Sequence, residues 1–76
     1  MLELYGNSYC HLCSDMQRAL IPWQQRFGFE LRIIDIEGRE ELEDRFGERI
    51  PVLLHEGEEI CHYFLDEAAL KRRLAG

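Results

Sequence analysis

The chain has 76 residues, of which 46% are hydrophobic and 32% charged, and its formal net charge is −6. This length allows one domain with a single modest core and leaves no room for a second. No apolar run approaches the about 20 residues of a membrane helix, and fifteen acidic residues against nine basic ones disfavour binding to a phosphate backbone. We therefore expect a single domain over residues 1–76 that binds neither nucleic acid nor a membrane, and we take it to be a monomer.

A first strand leads into a pair of cysteines. Residues 1–5 alternate apolar and polar side chains as a strand does, and Gly-Asn-Ser at residues 6–8 has the composition of a turn. An apolar pattern of helical period begins near Leu12 and continues to about Phe27, so Cys-His-Leu-Cys at residues 10–13 falls at a helix N-terminus. Unpaired N–H groups and the helix dipole stabilise a thiolate there. A second thiol three residues later can resolve a mixed disulfide formed by the first.

The rest of the chain continues to alternate strands and helices. Gly28 ends the first helix, and the next strand is predicted to be parallel to the first because a helical crossover connects them. The further elements predicted are a strand over residues 29–36, a short helix over 40–46, hairpin strands over 52–55 and 59–63, and a last helix with Asp66 as its N-cap. The predicted order is βαβαββα.

The number of cysteines indicates whether the protein belongs to a reducing or an oxidising cellular compartment. Three cysteines cannot form a closed set of structural disulfides, and a CxxC in such a chain is typical of catalytic or metal-binding thiols in a reducing compartment. With no leader segment before the first strand, we expect a cytoplasmic location. Cys61 falls in the last strand, where the alternation does not indicate the inward face, and we expect a half-buried, inert thiol.

Three landmarks give the chain a resemblance to the glutaredoxin-like proteins of thioredoxin fold. They are the CxxC at residues 10–13, Ile-Asp-Ile at residues 34–36, and Arg-Ile-Pro-Val at residues 49–52. A CxxC in the first βα turn followed about forty residues later by X-Pro-Val is the specific part. The resemblance covers nearly the whole chain. It implies an α/β thioredoxin/glutaredoxin-like fold, with a four-stranded mixed sheet and helices on both faces.

The resemblance implies a thiol–disulfide oxidoreductase in which Cys10 attacks and Cys13 resolves. In that family the proline before strand three is cis and faces the two sulfurs, so we expect a cis Pro51 and an Ile50 backbone that pairs with the substrate. A proline at a strand start lacks an N–H for the ladder, and a cis bond would turn the preceding backbone outward. The alternative is a trans Pro51 that only begins a strand.

Two side chains beside the cysteines have two interpretations each. A protonated His11 would favour the thiolate of Cys10, and the alternative is an exposed histidine without effect. Tyr9 would form an aromatic wall for a thiol substrate or cover the edge of the core, and we expect the second. Glutaredoxins often carry Pro-Tyr between the cysteines, so the His-Leu found here leaves the redox potential unpredicted.

The sequence predicts weak glutathione binding. Glutaredoxins that bind glutathione typically have two glycines after strand four and an aspartate at a helix start, where N–H groups receive a carboxylate. Here Cys61 and His62 occupy the glycine positions, Asp66 matches the aspartate about one position away, and Arg49 is the nearby cation. We expect no bound cofactor. The substrate would be a disulfide-containing protein or a small thiol, with glutathione or a thioredoxin-type reductase as reductant.

Two other functions are compatible with the sequence. Cys10 and Cys13, with Cys61 or His62 or with a second chain, offer soft ligands for zinc or an iron–sulfur cluster. The chain has neither a second CxxC nor a regularly spaced ligand pair, so we expect no metal site. The other alternative is a thioredoxin-fold binding module, in which the edge at residues 50–51 engages a partner without redox turnover.

Overall fold

The computed structural model describes residues 1–75, which form four strands and three helices in the order βαβαββα. The elements are β1 (Leu2–Gly6), α1 (His11–Phe27), β2 (Leu31–Asp35), α2 (Glu40–Phe46), β3 (Val52–His55), β4 (Glu58–His62) and α3 (Glu67–Ala75). The predicted order is confirmed, and α2 and β3 have the predicted bounds. The strand β2 is shorter than predicted at both ends, and β4 begins and ends one residue earlier.

The four strands form a mixed sheet in the order β2-β1-β3-β4. The strands β1 and β2 are parallel, whereas β1 with β3 and β3 with β4 are antiparallel. Tyr5 near the end of β1 pairs with Val52 at the start of β3, which pairs with His62 at the end of β4. The segments that follow β1, precede β3 and follow β4 therefore leave the sheet at one edge. We call this the site edge.

The sheet divides the apolar core into two clusters, because successive side chains of a strand point to opposite faces. One face carries Leu2 and Leu4 of β1 and is covered by α1 and α3. The buried members of this cluster are Leu2, Leu4, Met16, Leu20, Leu53, Cys61 and Leu70. The other face is covered by α2, and its buried members are Ile36, Phe46, Val52 and Leu54. Helices on both faces are confirmed, while the expected single core is in fact two.

Two local features position the end of the chain. The β3–β4 hairpin turns at Glu56 and Gly57, which both have positive φ (52° and 83°), as a two-residue turn between twisted strands requires. The carboxylate of Asp66 accepts a hydrogen bond from the N–H of Ala69 at 3.0 Å and so caps the start of α3, as predicted. Within residues 1–75, no helix has both the length and the apolar character needed to cross a membrane.

Candidate functional site

Cys10 and Cys13 form a disulfide at the N-terminus of α1, with their Cα atoms 5.2 Å apart. Cys10 is the N-cap residue, with extended backbone angles (φ −87°, ψ 111°), and its Sγ accepts a hydrogen bond from the N–H of Cys13 at 3.1 Å. Cys10 is half-buried, whereas Cys13 lies in the first turn of the helix and is 8% exposed. The predicted position of the motif is confirmed, and Cys10 is more exposed than Cys13.

The connection from β1 to the disulfide is a turn built on Asn7. Its side-chain oxygen accepts a hydrogen bond from the N–H of Tyr9 at 3.1 Å, and its carbonyl accepts one from the N–H of Cys10 at 3.3 Å. An asparagine that bonds the backbone two residues later is a common way to begin a turn. These contacts fix Cys10 where the helix begins.

Gly6 has a role that the sequence did not reveal. We assigned it to the turn, but it is the last residue of β1 and it lies against Cys13. A Cβ on Gly6 would lie 3.1 Å from the Cβ of Cys13 and 2.5 Å from its Sγ, and the second distance is shorter than real contacts allow. A glycine inside a strand often marks such a close approach. The glycine at position 6 is therefore the sequence feature that could have indicated this contact.

A cleft of about 220 Å³ opens beside the buried sulfur. Its lining combines apolar side chains of β1 and β2 with polar groups from the turn and α1: Leu4, Gly6, Asn7, Ser8, Cys13, Ser14, Gln17, Ile33, Ile34 and Asp35. The substrate-binding residues predicted from the sequence, which are Arg49, Ile50, Pro51 and Asp66, do not line it. They lie on the segments before β3 and after β4, at the site edge.

The Ile50–Pro51 peptide bond is cis. Pro51 is buried, and its carbonyl accepts a hydrogen bond from the N–H of Tyr63 at 2.9 Å. Ile50 is half-buried and packs against the α2 cluster. Within residues 1–75, the N–H and carbonyl of Ile50 make no hydrogen bond.

Arg49 is not the available cation that we expected. Its guanidinium forms an ion pair with Glu59 on β4 and donates to the carbonyl of Arg45 at 3.2 Å. Glu59 also contacts His62, with 2.7 Å between Oε2 and Nδ1. Burial alone would raise the pKa of Glu59, but the hydrogen bond with His62 and the charge of Arg49 outweigh it and hold that pKa below its usual value. Sequence reasoning could not foresee this pairing because it joins side chains ten residues apart.

Two side chains near the disulfide are exposed. Tyr9 is 81% exposed, so the expectation that it covers the core edge is wrong. His11 is exposed on the first turn of α1. The N–H of Tyr9 is bonded within the Asn7 turn, and His11 is the first residue of α1.

The third cysteine lies in the core and is 9% exposed. Cys61 points to the face covered by α1 and α3, because an irregularity in the β3–β4 register places it opposite Leu53. Burial raises the pKa of this thiol despite a hydrogen bond from the Asp66 backbone. Its predicted inertness agrees with this environment, although it is more buried than expected. Within residues 1–75, no group of three or more His, Cys, Asp or Glu side chains is placed to hold a metal ion.

Comparison with known proteins agrees with this fold. A family model described as Glutaredoxin-like domain (DUF836) matches residues 1–75. A Nitrosomonas europaea protein with a solution NMR structure is 40% identical, with a TM-score of 0.84 over 95% of this chain and 87% of its own. An X. campestris protein with an X-ray structure is 32% identical, with a TM-score of 0.78 over 99% and 96% of the two chains. The chain belongs to the glutaredoxin-like domain family.

More distant structures show the fold alone. Thioredoxin 1 of Thermosipho africanus is 18% identical and superposes with a TM-score of 0.64 over 97% of this chain and 93% of its own. A buckwheat glutaredoxin solved as a complex with glutathione is 15% identical, with a TM-score of 0.57 over 95% and 66% of the two chains. The chain therefore has the thioredoxin/glutaredoxin fold.

Proposed function

We propose that the protein is a thiol–disulfide oxidoreductase in which Cys10 is the nucleophile and Cys13 the resolving thiol. One observation carries this proposal: the N–H of Cys13 donates to Sγ of Cys10 at the N-terminus of a 17-residue helix. In the reduced protein the same N–H group and the helix dipole stabilise the Cys10 thiolate. The more exposed cysteine is therefore also the better nucleophile.

The reaction proceeds in two exchanges. The Cys10 thiolate attacks one sulfur of a substrate disulfide, so that the Cys10–substrate bond forms, the substrate S–S bond breaks, and the leaving thiolate takes a proton from solvent. Cys13 then gives its proton to solvent and attacks Cys10 Sγ, which closes the intramolecular disulfide and releases the second substrate thiolate. Two electrons pass from the cysteine pair to the substrate. Two molecules of glutathione, which leave as glutathione disulfide, or a thioredoxin-type reductase return these two electrons.

The surroundings of the pair favour a protein disulfide over glutathione as the substrate. Glutathione carries two carboxylates, and the cation that would receive one, Arg49, is already paired with Glu59. The other expected receptor, the N-terminus of α3, is capped by the Asp66 carboxylate and followed by Glu67. A polypeptide substrate needs neither carboxylate contact. It would pair with the Ile50 backbone, whose polar groups are free within the described residues.

No resident cofactor is part of this proposal, and the cytoplasm is the compartment that would keep the pair reduced. A binding module without turnover is the competing function. The two are separated by single-turnover kinetics, in which the reduced protein is mixed with a disulfide peptide and the free thiol product is quantified by mass spectrometry.

The expected result is the reduction of one peptide disulfide per chain, with oxidation of Cys10 and Cys13 to their disulfide. Cys10→Ser should abolish it, and Cys13→Ser should stop at the mixed disulfide. Cys61→Ser is the matched control, because it also removes one thiol but lies in the core. Conversion that survives in Cys10→Ser would contradict the assignment.

A further inference from the structure

The chain makes a strained turn directly after β4. Tyr63 has a positive φ of 64°, and the N–H of Phe64 donates to the carbonyl of His62 at 2.7 Å. A hydrogen bond across two residues with a positive central φ defines a γ-turn of the rare, strained form, which a bulky residue adopts only when its surroundings enforce it.

Tyr63 is held in this turn by three contacts. Its N–H donates to the carbonyl of Pro51 at 2.9 Å, and its hydroxyl donates to the carbonyl of Glu48 at 2.7 Å. Its ring packs edge-on against His62, with 4.7 Å between the ring centres. Tyr63 thus binds both ends of the Glu48–Pro51 segment, which includes Ile50.

The turn also presents an apolar ring to solvent. Phe64 is 70% exposed and Tyr63 is 40% exposed, at the same edge of the sheet as the disulfide. Neighbouring strands are about 4.8 Å apart, so the end of β4 lies roughly 10 Å across the sheet from the end of β1. An extended polypeptide advances about 3.3 Å per residue, so about three residues span the separation of these two strand ends.

We infer that this turn is a recognition element for an extended polypeptide substrate with an aromatic residue three positions from its cysteine. Phe64 contacts that aromatic ring, and Tyr63 is a positioning residue that fixes the Ile50 backbone. The inference rests on the proposed function, since it specifies the substrate class of the same site. Exposed carboxylates flank the turn at Glu48, Asp66 and Glu67, while Arg49 is neutralised by Glu59. The occupant is therefore a neutral or basic segment.

The test measures binding separately from turnover. Peptides with serine in place of cysteine, and with either Phe or Ala at the third residue on each side, are titrated into the ¹⁵N-labelled oxidised protein and followed by NMR. The Phe peptide should bind about tenfold more tightly than the Ala peptide, as expected for one aromatic pair with its buried area. The shifts should map to residues 49–51 and 62–65. Replacing the neighbouring neutral residues of the Phe peptide by Glu should weaken binding.

Two variants and one control examine the assigned roles. Phe64→Ala should reduce the preference for the Phe peptide to less than twofold. Phe27→Ala removes an exposed ring at the far end of α1 and should leave the preference unchanged. Tyr63→Phe keeps the ring but loses the bond to Glu48, and it should raise KM severalfold for a disulfide form of the Phe peptide at unchanged kcat.

The outcomes distinguish the inference from the proposed function. Single-turnover reduction of bis(2-hydroxyethyl) disulfide, which is too small to reach Phe64, reports on the cysteine pair alone and should be the same in Phe27→Ala as in the parent protein. Absence of this reduction together with selective peptide binding would refute the oxidoreductase and support the recognition element. Normal reduction with no preference for the Phe peptide, or with a preference that survives in Phe64→Ala, would overturn the inference.

Discussion

The N–H of Cys13 lies 3.1 Å from Sγ of Cys10 and donates to it, so the two cysteines of one motif have different environments. Cys10 is half-buried, and its sulfur caps the helix by accepting a hydrogen bond from the N–H of Cys13. Cys13 itself is packed beside Gly6. An N-cap position favours the charged form of a sulfur. This asymmetry underlies the different roles proposed for the two thiols.

The first prediction concerns the order of alkylation in the reduced protein. Iodoacetamide at mildly acidic pH should label Cys10 before Cys13 and Cys61, because only Cys10 combines access with stabilisation of its thiolate. Burial raises the pKa of Cys61, so this thiol should label last and serves as the internal control. Peptide mapping by mass spectrometry over time gives the order. Labelling of Cys13 before Cys10 would reverse the roles.

The second prediction concerns Gly6→Ala. The added methyl group would meet Cys13 Sγ, so the sulfur must move, and we expect a loss of about 1–3 kcal/mol in stability from overpacking. A displacement of a reacting atom by about 1 Å can cost up to about a hundredfold in rate, so attack of Cys13 on a mixed disulfide at Cys10 should slow at least about tenfold. Urea unfolding and single-turnover kinetics measure the two effects.

Gly38→Ala is the control for this variant. Gly38 has a positive φ of 76° and no atom within 4 Å of an added Cβ, so the variant carries backbone strain without touching the disulfide. It should lose stability and keep the rate of ring closure. Equal rates in Gly6→Ala and the parent protein would show that the contact between Gly6 and Cys13 has no part in catalysis.

Local patterns predicted most of the fold. Leu42 and Phe46 stand one turn apart between Arg39 and Gly47, so the bounds of α2 followed from helical spacing and a C-terminal glycine. Gly57 marked the hairpin because few residues tolerate its positive φ. Local patterns do not predict the division of the core into two clusters, because that division depends on which strands are neighbours in the sheet.

The candidate site was predicted where its chemistry is local in sequence and missed where it is not. The helical period that begins near Leu12 located Cys10 at the N-cap. The pairing of Arg49 with Glu59 and the bond from Tyr63 to Glu48 join residues ten and fifteen positions apart, and no periodicity encodes them. The exposure of Tyr9 follows from the Asn7 turn, whose geometry the composition alone did not specify.

The third prediction concerns pH and Glu59. The folded-state pKa of Glu59 is lowered, so its contribution to stability is complete above its ordinary value of 4.5 and is lost as the pH falls through the lower folded value. Glu59→Gln should reduce stability by up to about 1 kcal/mol at pH 7, and this loss should shrink progressively as the pH falls below 4.5. Urea unfolding at pH 7 and at a series of lower pH values checks this. The exposed Glu41→Gln should show no such trend, and an equal loss at all of these pH values in Glu59→Gln would contradict the ion-pair explanation.

The fourth prediction concerns glutathione. Because Arg49 is paired and Asp66 caps α3, the Cys13→Ser variant should form a mixed disulfide with oxidised glutathione more slowly than with a disulfide peptide at equal concentration. Intact-mass measurement follows both reactions, since the adducts differ in mass. Freeing Arg49 through Glu59→Gln in the same background should accelerate the glutathione reaction selectively. Faster reaction of the parent variant with glutathione than with the peptide would refute the proposed substrate preference.

The central claim, that Cys10 and Cys13 are a working redox pair, is tested most directly by an equilibrium redox titration. The protein is incubated in dithiothreitol or glutathione buffers of graded potential, its free thiols are trapped by acid and alkylation, and the oxidised fraction is read by mass spectrometry. We expect one reversible two-electron transition confined to Cys10 and Cys13, with a midpoint within about −270 to −120 mV and a slope of about 30 mV per tenfold change. A pair that stays oxidised or stays reduced across this range, or a transition that involves Cys61, would contradict this expectation.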